Sequence, residues 1–286
     1  MDALEFYGLL PSEDPRRWRL PVVRGLCSGN GSLFGGAALG ASIEALERVT
    51  RRPLVWATAQ YLAYARPPDV VELEVDEVAR GHRASQARVL ARVDDREIFT
   101  VLAALGQRAL PWSGSWAVRP DVPSVAASPV RPFAAHHEGT IGGRLDLRVA
   151  SARPMETLDG TPGDGRSALW ARLPDIPASA AALAIVADYV PFGIAQALGR
   201  RTGANSLDNT LRMVRPTETH PTEWVLADVR VQAVADGFGH GVVHLWAEDG
   251  TLLATASQSA VVREWRFDGP RPVDPAARPA SEEVTR

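Results

Sequence analysis

Two stretches of the chain, offset by about 150 residues, follow one plan of helix, extended strand, Arg-Pro, and three more strands bounded by turns. In the first copy a helix is expected over 33–49, the next strand ends at Arg66-Pro67, and a turn falls at Asp94-Asp95. In the second the helix runs near 180–198, the strand ends at Arg215-Pro216, and the turn is Glu248-Asp249-Gly250. On those landmarks Asp208 stands opposite Ala59 and Gln258 opposite Ala104. A duplicated fold keeps its core in both halves, so a carboxylate and an amide found in one half only are poorly explained by packing. They mark a candidate site.

Apolar residues Leu39, Ile43 and Leu46, with Ala38, Ala45 and Val49 beside them, give the first helix one apolar stripe, and Pro53 closes it. Its small residues, Ala37, Ala38, Ala41, Ser42 and Ala45, allow close approach by a sheet and suggest a helix half enclosed by strands. Extended runs follow at 54–64, 70–78, 84–93 and 97–105, and in the second copy at 206–214, 223–234, 240–247 and 251–262, after a strand at 144–150. Strands in series with short turns imply antiparallel pairing. Between 110 and 138 the periodicity breaks among Pro111, Pro120, Pro123, Pro129 and Pro132. The expected division is an N-terminal unit 1–108, a Pro-rich linker 109–140, a C-terminal unit 141–268, and a disordered tail 269–286. One long helix with an antiparallel sheet, twice, is an α+β arrangement, and pairing the halves edge to edge would close an exposed sheet edge.

The net charge of -3 argues against a nucleic-acid groove, which needs a concentrated basic face. Every basic side chain is arginine, which follows a compositional bias more simply than a phosphate site. A single cysteine, Cys27, excludes an internal disulfide and fits a reducing compartment. The acidic start Met1-Asp2-Ala3-Leu4-Glu5 does not read as a secretory signal, and no run is expected to approach the roughly 20 apolar residues of a membrane span. A soluble, cytoplasmic protein is expected. Metal binding at His136-His137-Glu138 lacks a second cluster, and that loop reads as solvated. Gly29, Gly31, Gly35 and Gly36 do not have dinucleotide-site spacing, and no Walker lysine exists. The run Gly237-Phe238-Gly239-His240-Gly241 reads as a turn or bulge in preference to the flank of a pantetheine channel.

The order Leu33-Phe34-Gly35-Gly36, Arg66-Pro67, Asp208, Arg215-Pro216 and Gln258 resembles the acyl-CoA thioesterase II family, over residues 20–264. The resemblance implies a double hotdog fold and an acyl-CoA substrate; no cofactor and no metal are expected. It also implies that an aspartate, a glutamine and a Ser or Thr arrange one water, and it carries the aspartate to Asp208 and the glutamine to Gln258. Counting forward from Val225-Leu226 puts Gln232 at the hydroxyl position, a departure from the family pattern. Asn209 and Thr210 likewise stand where the family commonly has His and Ser.

Hydrolysis of a thioester needs an oriented water, a proton acceptor, and donors facing the developing oxyanion. Asp208 is the expected acceptor, with Gln258 and Gln232 as positioners. The backbone N–H groups of Gly35 and Gly36, at a helix N-terminus, are the expected oxyanion donors. A non-catalytic acyl-CoA or lipid-binding module is the alternative. A hotdog hydratase ranks below both, since no histidine closely follows Asp208. The fused halves imply a pseudo-dimeric monomer, with further association to a homodimer or higher state left open.

Overall fold

The computed structural model describes residues 1–132, 137–217 and 220–264. Residues 265–286, which include the expected tail, and His136 lie outside them. The elements are, in order, helix α1 (Ala3–Tyr7), strands β1 (Leu10–Pro11) and β2 (Arg17–Pro21), and helix α2 (Gly35–Thr50). Strands β3 (Leu54–Tyr61), β4 (Val70–Arg80), β5 (Ala84–Val93) and β6 (Arg96–Gly106) complete the first half. The second has β7 (Asp146–Ser151), β8 (Arg166–Arg172), α3 (Ala180–Ala187), α4 (Val190–Leu198), β9 (Thr202–Ser206) and β10 (Asp208–Met213). It closes with β11 (Val225–Ala235), β12 (Phe238–Ala247) and β13 (Leu252–Glu264).

All strands join one antiparallel sheet in the order β1-β2-β4-β5-β6-β3-β10-β13-β12-β11-β8-β7, with β9 also on β13. The halves meet edge to edge at β3 and β10, and the sheet wraps the helices of both: the α+β double hotdog. At the seam Thr58 pairs with Thr210, their hydroxyls 2.6 Å apart. Because this pair sits on the pseudo-twofold relation, each β3 residue corresponds to the one 152 positions later. The register therefore matches Asp208 to Trp56 and Gln258 to Ala103, correcting the landmark match to Ala59 and Ala104. Turn landmarks slip because loops between them differ in length, whereas the ladder does not.

Helix α2 is enclosed as its small residues require: Gly36 through Ile43 are all buried. Helices α2 and α3 meet closely at Gly40, where an added Cβ would lie 2.6 Å from the Ala181 carbonyl oxygen. Helix α3 begins at Ser179, whose hydroxyl caps the Ala182 N–H at 3.1 Å, and all eight of its residues are buried. The single helix expected over 180–198 is broken at Asp188-Tyr189. Pro191 explains the break, since its ring has no N–H to give and excludes the carbonyl of Ala187. Together these helices form a 19-residue stretch of mean hydropathy 1.6, long and apolar enough by composition to span a bilayer. That corrects the expectation that no segment comes near this length. Here 72% of the stretch is buried inside the protein, so its apolar character is used by the core.

Residues 107–132 contribute no helix or strand beyond a bridge from Val130 to Arg148, yet they are not loose. Ala117, Val122 and Val125 pack on the outer face of the second half against Trp170, Trp224 and Trp246, and Trp170 Nε1 donates to the Pro123 carbonyl at 2.9 Å.

Candidate active site

The site grows from a defect in the ladder beside the seam. Ser206 pairs with Ala260 and Thr210 with Ser257, so four steps on one strand face three on the other. This is a β-bulge at Leu207-Asp208. Leu207 N–H donates to the Ser259 carbonyl at 2.8 Å, while the Ser259 N–H turns to Asp208 Oδ1 at 2.7 Å. Asp208 is half-buried, and its Oδ2 has no hydrogen-bond partner among the described residues. One carboxylate oxygen thus seals the bulge and the other stays open.

Next to the bulge, Asn209 and Gln258 turn side by side into the inner face, both buried. The equivalent inner positions of the first half are Ala57 and Ala103. Gln258 Nε2 donates to Asp188 Oδ1 and, at 2.5 Å, to Ser206 Oγ. Asp188 Oδ2 accepts the Gly36 N–H at 2.7 Å. The break between α3 and α4 is what brings this carboxylate to the N-terminus of α2, where Phe34 supplies no side-chain cap. Burial pushes the Asp188 carboxyl up from 3.8 to about 7, against the opposing hydrogen bonds from Gln258, Gly36 and Ser206.

Three polar groups remain unanswered around this cluster. Gln258 Oε1 and both side-chain polar atoms of Asn209 are buried without a hydrogen-bond partner among the described residues. The Gly35 N–H, first in α2, likewise has none among them. Tyr61 borders the same cluster: its hydroxyl donates to the Gly35 carbonyl at 2.7 Å, and burial followed by the nearby Asp188 and Asp208 raises its pKa. Buried polar atoms are rarely left unpaired in a folded protein, so the Gln258 and Asn209 atoms are the candidates here to meet a guest or a water.

Of the residues singled out from sequence, Asp208, Gln258, Gly35 and Gly36 meet at this junction. Gly36 does so differently from expectation, because its N–H is engaged by Asp188 rather than open to an oxyanion. Its lack of a side chain also has a packing reason, since a Cβ would lie 2.6 Å from the Ala184 carbonyl oxygen. Gln232 is not brought in: it is the extra residue of a second bulge between Val231 and Ala233, exposed, and bonded to neither Asp208 nor Gln258. The nearby glycine run divides into a turn, where Asp236 and Gly237 have φ of 52° and 80°, and the strand glycines Gly239 and Gly241. Cβ atoms at those two would meet Ile194 and Val190 of α4 at 2.5 and 2.8 Å. Sequence reading missed Asp188, although it is the sole charge in the apolar stretch Ala180–Leu198 and stands three residues before a proline. A groove of about 480 Å³ lies elsewhere, on the outer face at the far end of β10, lined by Ala117, Arg119, Arg215 and Trp246. Among the described residues no cluster of three His, Cys, Asp or Glu is placed to hold a metal.

Residues 24–106 match the acyl-CoA thioesterase N-terminal domain family, and residues 119–262 match the acyl-CoA thioesterase C-terminal domain family. The chain belongs to the acyl-CoA thioesterase family. Among solved structures, a putative thioesterase from Novosphingobium aromaticivorans is 30% identical, with TM-score 0.76, covering 88% of this chain and 97% of that one. The acyl-CoA thioesterase II TesB2 from Mycobacterium marinum superposes with TM-score 0.71 at 21% identity, covering 92% and 98% of the two chains. A hot dog fold protein from Alicyclobacillus acidocaldarius gives TM-score 0.79 at 22% identity, with coverage of 92% and 98%. No curated protein matches.

In this member of the thioesterase family the junction offers a carboxylate oxygen, a buried amide oxygen, a buried carboxamide and a helix-end N–H that have no hydrogen-bond partner among the described residues. That inventory suits a reaction in which a water is held by acceptors and a carbonyl by donors.

Proposed function

We propose that the protein hydrolyses acyl-CoA thioesters to the free acid and CoA at the junction beside the second repeat's bulge. Gln258 Oε1 accepts one hydrogen of a water, and the open Oδ2 of Asp208 accepts the other. As the water oxygen bonds to the carbonyl carbon, its proton passes to Asp208 and the carbonyl electron pair moves to oxygen. The Gly35 N–H and the Asn209 amide are the donors for that oxyanion, the helix end adding its partial positive charge. Collapse restores the carbonyl, breaks the carbon–sulfur bond, and returns the proton from Asp208 to the departing thiolate. No cofactor enters. Gln232, exposed at its own bulge, has no part in this reading.

The observation that carries the proposal is the orphaned Oε1 of Gln258, buried on the inner face in a chain whose two halves both match thioesterase domains. The test is release of free thiol from acyl-CoAs of graded chain length. The absence of a hydroxyl at Gln232 favours one second reading, a module that binds acyl-CoA without cleaving it. Binding with no thiol release at any chain length would select that module and reject the hydrolase. The setting we propose is the cytoplasm, on the single thiol Cys27; recovery of the protein from another compartment on fractionation would contradict it.

A further inference from the structure

We propose that Asp188 is a positioning residue that sets the polarity of the Gln258 amide, and that its carboxylate form is the one that supports turnover. The inference rests on the hydrolase reading above and assigns a regulation to the same site.

A carboxamide is nearly symmetric in shape but not in hydrogen bonding, so the two ends of Gln258 exchange roles if the group turns over. Asp188 and Ser206 decide the orientation. Asp188 Oδ1 has only electron pairs to offer, and Ser206 Oγ receives the same Nε2 at 2.5 Å, so the Gln258 oxygen is held on the opposite side. That oxygen is the buried, unpartnered Oε1 on which the water would rest. The other carboxylate oxygen is fixed by the Gly36 N–H at 2.7 Å, at the positive end of a 16-residue helix. With both oxygens engaged, Asp188 is not free to accept a proton from water itself.

Protonation undoes this arrangement. A neutral Asp188 carries an O–H that needs an acceptor, yet the groups facing its oxygens are the donors Gly36 N–H and Gln258 Nε2, and the Ser206 hydroxyl, which itself donates to the carboxylate and would have to give up that bond to accept. Turning the Gln258 amide satisfies the new donor and points Nε2 at the water, an end that cannot accept a hydrogen. Of the ionisable groups facing this cluster, Tyr61 from β3 and Tyr189 from the start of α4 both have raised pKa values, Tyr189 at about 12, held there by burial with Arg131 opposing. From β10 the remaining one is Asp208. Ser206 on β9 and Gly36 on α2 bring no charge. Asp188, lifted by burial to about 7, is therefore the group placed to change charge near neutrality.

The experiment is kcat against pH from 5.5 to 8.5 for the full chain and for Asp188→Asn, using one acyl-CoA that the native protein turns over. The native kcat is expected to rise about tenfold or more through an inflection near pH 7, with KM changing less than about twofold. Asp188→Asn is expected to be at least tenfold slower and to lack that inflection. A native profile without it, or a variant that keeps either the native rate or the native inflection, overturns the proposal. Should the variant not fold, the native protein still decides: the Gly36 amide proton resonance is expected to titrate with a midpoint near 7, and a resonance unmoved between pH 5.5 and 8.5 overturns the assignment. Failure of the native protein to release thiol at all would instead reject the hydrolase reading, and this inference with it.

Discussion

The backbone N–H of Gly36 and the carboxylate of Asp188, 152 residues apart in sequence, are joined by a 2.7 Å hydrogen bond that ties the helix of one repeat to the helix break of the other. The bond does two things at once. It caps an α2 N-terminus that has no side-chain cap, and it holds the carboxylate that in turn grips Gln258. Fold and site are therefore linked through one charged group inside an otherwise uncharged helical stretch.

Helix contact at the junction depends on glycine. An added Cβ at Gly40 would lie 2.6 Å from the Ala181 carbonyl oxygen and closer still to the Tyr7 hydroxyl, so Gly40→Ala should destabilise the protein by about 1–3 kcal/mol. Gly203→Ala, where nothing lies within 4 Å, is the matched control and should leave the denaturation midpoint almost unchanged. Equal midpoints for the two variants in urea would contradict the packing described for α2 and α3.

Asp188 also ties stability to pH. Its folded-state pKa is raised, from 3.8 to about 7, so its favourable contribution is complete below the unfolded value and is lost as pH rises through the folded one. A displacement of that size corresponds to about 4 kcal/mol. Relative to Asp188→Asn, the native protein should therefore weaken by roughly that amount between pH 4 and pH 8, as read from urea unfolding. A difference between the two proteins that does not change with pH would show that the carboxyl is not titrating in this window.

Asp208 has a structural task and a chemical one, which two substitutions separate. Asp208→Asn keeps an oxygen for the Ser259 N–H but removes the proton acceptor, so stability should hold while kcat falls by about a hundredfold or more. Asp208→Ala should lose the activity and, in addition, about 1–3 kcal/mol of stability from the unanswered N–H. An Asp208→Asn protein with native kcat would leave the residue as a bulge seal only.

Much of this architecture was legible because amphipathic periodicity reports one buried face. The enclosed helix α2 and the strands β3 to β6 and β11 to β13 came out close to their observed bounds. Strand β8 was missed for the same reason in reverse: its Ser167 to Ala171 are buried on both faces, between the helices and the linker, so no alternation marks it. The N-terminal α1, β1 and β2 are too short to leave a period. At the site, Gln258 and Asp208 were found by their place in the repeat, but the bulge at Leu207-Asp208 could not be read from spacing. Its consequence, that Asn209 stands beside Gln258 on the inner face with Asp208 at the adjoining bulge, belongs to the ladder. Asp188 carried a legible signal, a lone carboxylate in an apolar helix ahead of Pro191, whose meaning emerged only when it met the other repeat.

The central claim is that Gln258 holds the attacking water at a site for acyl-CoA, and thiol release by the native protein and by Gln258→Ala tests it most directly. The expected result is steady release from at least one acyl-CoA by the native protein, and kcat lower by about a hundredfold in a folded variant that still binds that acyl-CoA. Native rates from Gln258→Ala, or no release by the native protein across chain lengths, would contradict it.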